Sequence, residues 1–70
     1  MSSYIELNDF LKINNVGSTG GQVKLVIRSG VVRVNGEVET RNRRKLVVGD
    51  TVEFDQRVFK IGAEVVREHT

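Results

Sequence analysis

Between Lys24 and Lys45 the chain gathers Lys24, Arg28, Arg33, Arg41, Arg43, Arg44 and Lys45 against only Glu37 and Glu39, a net charge of +5. The rest of the chain sets four cations against seven carboxylates, so the +2 of the whole hides a strong polarity. Crowded cations of this kind can hold successive phosphates of an anionic polymer, which needs positive groups along a track rather than a catalytic geometry. Arginine suits the task because its planar fork can grip two phosphate oxygens at once. Neutralising about four phosphates would make log affinity fall against log salt with a slope near −3. The ordinary alternative is a solvated face that only maintains solubility. Segregation of the charge into one stretch argues against it.

Other chemistries fail on inventory. The chain has no cysteine, and its one histidine, His69, stands next to the last residue. That removes disulfides and thiolate metal sites and leaves no base for a serine nucleophile. Asp9, Glu37, Glu39 and Asp50 show no paired spacing for acid–base work, and Asp50 reads as a turn former. Gly17-x-x-Gly20-Gly21 lacks the Lys-Ser/Thr pair of a phosphate-binding loop. Tyr4, Phe10, Phe54 and Phe59 are too few and too regularly spaced for a base-stacking platform, and the three phenylalanines read as core. The expectation is a non-enzyme with no cofactor and no metal. Met1 to Glu6 lacks the basic start and apolar run of a secretory signal, and Leu25-Val26-Ile27 is far too short to span a bilayer. A cytoplasmic monomer without membrane contact is expected.

Several elements must position these side chains. Seventy residues allow one domain, which at this size buries only about 60% of its unfolded surface. The expected core runs from about 5 to 61, with 62–70 as a weakly anchored tail. After a short strand at Tyr4-Ile5, Leu7, Phe10, Leu11 and Asn14 fall at helical spacing, and Asn14 to Gly17 reads as the exit. Thr19 and Gln22 have the spacing of a capping box for a second helix. Val23, Val26 and Ile27 share one face of it, Lys24 and Arg28 an adjoining one, and Gly30 stops it. Gly20 and Gly21 at its start read as a loose entry or as a point where a phosphate approaches the backbone. Asn35-Gly36 between two β-rich runs predicts a type I′ hairpin, with Val32 and Val34 on one face and Arg33 on the other. Arg41 to Lys45 is a polar connector. Thr51 to Phe54 and Arg57 to Ile61 form a second hairpin around Asp55-Gln56. The sum is α+β, two N-terminal helices on one face of a small antiparallel sheet.

Leu7-Asn8-Asp9-Phe10-Leu11-Lys12, the run Gly20 to Gly30, Val32-Arg33-Val34-Asn35-Gly36-Glu37 and Gly49-Asp50-Thr51-Val52 together resemble the S4 domain, a small RNA-binding module. The likeness covers roughly residues 5 to 55 and is most specific in the helix–Gly–Val-x-Val-Asn-Gly passage. Gly20 to Lys24 is similar to the short stand-alone bacterial members. The resemblance implies an S4-like fold (the αL motif) and contact with structured RNA, ribosomal or transfer RNA, at Lys24, Arg28 and Arg33. Many S4 domains start the second helix with a Ser-Arg-Ser type segment whose arginine touches RNA. Ser18-Thr19-Gly20-Gly21 carries no charge there, so that contact does not transfer. Arg41, Arg43, Arg44 and Lys45 are nominated by charge density alone.

A second reading is a protein adapter that docks on a basic partner through Asp50, Glu53, Asp55 and Glu64. DNA binding is a weaker third, because the second helix carries few side chains suited to reading base edges in a major groove.

Overall fold

The computed structural model describes residues 2–17 and 20–69. Strand β1 (Ser2–Glu6) runs directly into helix α1 (Leu7–Ile13), and α2 (Gly20–Arg28) follows. Six further strands follow among the described residues: β2 (Arg33–Val34), β3 (Glu37–Val38), β4 (Lys45–Leu46), β5 (Thr51–Phe54), β6 (Arg57–Lys60) and β7 (Arg67–His69).

Helix α1 buries Leu7, Phe10 and Leu11, the stripe expected from their spacing. It ends in a Schellman turn. Asn15 takes the left-handed conformation at φ 60°, while Val16 N–H donates to Leu11 O and Asn15 N–H to Lys12 O. Helix α2 turns Val23 and Ile27 inward, with Val26 half-buried, and Gly30 closes it at φ 83°. The anticipated cap, Thr19, lies outside the described residues.

Both hairpins form where the sequence places them. Asn35 and Gly36 have φ of 54° and 84°, and Asp55 and Gln56 have φ of 53° and 63°, the paired positive values of a type I′ turn. Asp50 shapes the intervening turn, accepting from Val47 N–H at 2.9 Å and from Asn35 Nδ2 at 3.1 Å.

The strands divide into two antiparallel sheets rather than one meander: β4-β1-β7 and β3-β2-β5-β6. Strand β4 leaves the hairpins to pair Leu46 with Ile5 and Lys45 with Glu6. The tail also departs from expectation. Ser2, Ser3 and Tyr4 pair with His69, Glu68 and Arg67, and Val65 and Val66 pack against the core. Backbone pairing anchors this segment, which its side chains alone did not announce. One core joins both sheets and both helices, with Leu7, Leu11, Val23, Ile27, Val32, Leu46 and Val52 fully enclosed. Phe10 packs edge-on against Phe59 with ring centres 5.9 Å apart, and Phe54 and Phe59 lie half-buried at the margin.

Candidate nucleic-acid interface

The connector between β3 and β4 hangs from the start of α1. A helix start leaves backbone donors without intrahelical partners. Here Leu7 N–H donates to Arg44 O at 2.8 Å and Asn8 N–H to Asn42 O at 3.0 Å. The buried Asn8 side chain adds a bond from Nδ2 to the same Asn42 carbonyl at 2.8 Å. Glu6 at the N-cap makes no side-chain cap, so the connector carbonyls take that role. At its other end, Glu39 N–H donates to Val32 O at 2.9 Å.

The side chains of this connector are ordered by carboxylates. Glu39, its side chain only 8% exposed, sits beneath Arg41 and Arg44, whose side chains are 72% and 32% exposed. Arg41 donates to it from Nε at 3.0 Å, from Nη2 at 3.1 Å and from its backbone N–H at 3.0 Å, and Arg44 from Nη1 at 2.7 Å. The Arg41 side-chain bonds, opposed by burial and aided by the Arg41 backbone N–H and by Arg44, hold the Glu39 carboxyl down at about 2. The same bonds raise the pKa of Arg41. Arg43, 81% exposed, donates from Nε to Glu6 Oε2 at 3.0 Å. Lys45 Nζ stands 4.9 Å from the centre of the Tyr4 ring, a cation–π contact.

Arg41, Arg43, Arg44 and Lys45 together line one shallow, open depression of about 540 Å³. The structure thus brings together the four residues nominated by charge density. The other three cations stand elsewhere on the fold. Lys24 and Arg28 lie exposed one turn apart on α2, and Gly20 and Gly21 open that helix. Arg33 is exposed in β2, directly across from Glu53 on β5, an opposite-charge cross-strand pair. Among the described residues, no carboxylate oxygen comes within ion-pair distance of Lys24, Arg28 or Arg33.

Neither Glu39 nor Glu6 is singled out by the sequence as part of the site. A signal for Glu39 was available in the strongly basic residues two and five positions after it. Of the acidic residues considered for an adapter, Asp50 is committed to its turn, whereas Glu53, Asp55 and Glu64 are exposed. No helix among the described residues is long and apolar enough to cross a membrane.

Comparison with known proteins gives the frame a family. A protein of Escherichia coli (strain K12) named "Putative RNA-binding protein YbcJ" is 47% identical over 51 residues, which cover 73% of this chain and 73% of that protein. A Bacillus subtilis (strain 168) protein named "Probable ribosome maturation protein RlbA" is 43% identical over 51 residues, 73% of this chain and 72% of its own length. No solved structure matches. The family model described as "S4 domain" matches residues 1–62, and with that coverage the chain belongs to the S4 domain family.

Proposed function

We propose that this chain is a non-enzymatic RNA-binding protein of the cytoplasm that grips the phosphate backbone of structured RNA, ribosomal or transfer RNA, in association with the ribosome. One observation carries the reading: four cations converge on a single open depression whose backbone is fixed by the first turn of α1. Lys24 and Arg28 on α2 and Arg33 on β2 are exposed cations that would add phosphate contacts of their own, and the amides of Gly20 and Gly21 stand at the helix start where a phosphate would be favoured. Membership of the S4 domain family supports the polymer class, and the printed names of the two relatives point the same way, one to RNA binding and one to ribosome maturation. Recognition is of shape and backbone, since the depression is lined by cations alone.

The test is fluorescence anisotropy with labelled transfer RNA and a ribosomal RNA stem-loop over a range of salt. A slope of log affinity against log salt near −3 is expected for about four neutralised phosphates. The combined variant Lys24→Ala/Arg28→Ala/Arg43→Ala should lower affinity for every structured RNA by a similar factor. A flat salt response, or full affinity in that variant, overturns the reading. Retention of a protein partner after nuclease treatment, with no RNA affinity, would favour the acidic adapter instead.

A further inference from the structure

Glu39 is a puzzle for an RNA-binding surface. It places a negative charge directly under two of the arginines that would meet phosphate, and it does so from a buried position. Counting charge alone, the surface would bind better without it.

Geometry suggests otherwise. An ionised carboxylate offers about four acceptor sites, and Glu39 uses four hydrogen bonds, three from Arg41 and one from Arg44. Each guanidinium carries five N–H donors. Arg41 spends Nε–H and one Nη2–H on Glu39, and Arg44 spends one Nη1–H. The remaining donors, about seven by that inventory, stay on the two arginine heads that line the depression. The carboxylate below therefore leaves most of each fork unspent while removing its freedom to swing. Long, rotamer-rich side chains normally lose that freedom when they bind.

We propose that Glu39 is a positioning residue for RNA, its buried carboxylate fixing Arg41 and Arg44 as one preformed phosphate fork. This rests on the RNA-binding reading above. Arg41 and Arg44 act on phosphate, and Glu39 acts through them.

The proposal makes a prediction opposite in sign to a count of charges. Glu39→Gln is nearly isosteric and removes one negative charge, so simple electrostatics requires tighter RNA binding. Loss of positioning requires weaker binding, about fivefold or more, and a salt slope shallower by about 1. Both are read by anisotropy with labelled transfer RNA, well below the melting temperature, after circular dichroism establishes the fold. Relaxation of the Arg41 and Arg44 Nε–H signals should report two side chains released together, which a purely structural loss elsewhere would not produce. A folded Glu39→Gln protein that binds equally or more tightly overturns the proposal. Should that variant not fold, Arg41→Lys/Arg44→Lys decides. It keeps the charge and loses the fork, so weaker binding supports the proposal and unchanged binding overturns it. Wild-type protein with no salt-dependent RNA affinity would sink the RNA reading itself. Wild-type protein that binds, with Glu39→Gln binding more tightly, would sink only the role of Glu39.

Discussion

The backbone N–H of Leu7 reaches the carbonyl of Arg44 at 2.8 Å and ties the basic connector to the first turn of α1. Neighbouring Asn8 strengthens the tie with two donors, its backbone N–H and Nδ2, both on the Asn42 carbonyl. A helix start that needed partners and a loop with spare carbonyls satisfy each other.

Asn8→Ala should expose the value of that tie. The side chain is buried and bonds Asn42 O and Glu6 Oε1. Removing it should cost about 1–2 kcal/mol. For a domain this small, that lowers the melting temperature by roughly 4–8 °C per kcal/mol. Thermal unfolding followed by circular dichroism measures it, and an unchanged midpoint would show that the connector does not depend on Asn8.

Acid titration should reveal Glu39. Its carboxyl is held at about 2, below the ordinary value of 4.5, so the folded state binds that proton less readily than the unfolded chain does. The stabilisation is complete above the unfolded value and is lost as pH falls through the folded one. Between pH 4.5 and pH 2 the wild type should lose stability on the order of 2 kcal/mol through this group, after discounting for the water that reaches Arg41. Urea unfolding at several pH values, wild type against Glu39→Gln, isolates the contribution. Parallel curves over that range would contradict it.

The two hairpin turns invite opposite substitutions. Gly36 holds φ 84°, where an added Cβ would meet no atom within 4 Å but the backbone itself resists a side chain. Gly36→Ala should therefore destabilise by about 1 kcal/mol. Gln56 holds φ 63° without the benefit of glycine, so Gln56→Gly should stabilise, by about 0.5 kcal/mol once the freer unfolded chain is counted. Chemical denaturation of both variants checks the pair. A loss of stability in Gln56→Gly would mean that the side chain contributes more than its backbone strain costs.

Removal of residues 67–70 should open β1. Strand β7 supplies one of its two neighbours, through Tyr4, Ser3 and Ser2. Amide hydrogen exchange at Ser3 and Tyr4 should accelerate markedly while the β5–β6 hairpin keeps its protection. Equal protection in the shortened chain would show that β7 adds nothing.

Much of this fold can be read locally. Leu7, Phe10 and Leu11 announce a helix face by period, and Asn35-Gly36 announces a turn by the φ it tolerates. Partition into two sheets is not local. Strand β4 is two residues long, and its partner β1 lies far away in the chain, so nothing near Lys45-Leu46 names it. The candidate site was legible in charge and illegible in architecture. Val38 and Glu39 invert the hydropathic order, the valine exposed and the glutamate buried, because Arg41 and Arg44 satisfy the carboxylate where a solvent shell would otherwise be needed. Hydropathy alone would have turned that pair the other way.

Strand β1 lies between two strands that are both made later, Ile5 meeting Leu46 and Ser2 meeting His69. Pairings so distant along the chain are slow to form, since a large loop must close before any contact rewards it. Residues 2–6 must therefore wait for 45–46 and for 67–69. Until then the connector that carries the arginines has no finished scaffold, so the four-cation depression is among the last features of the fold to take shape.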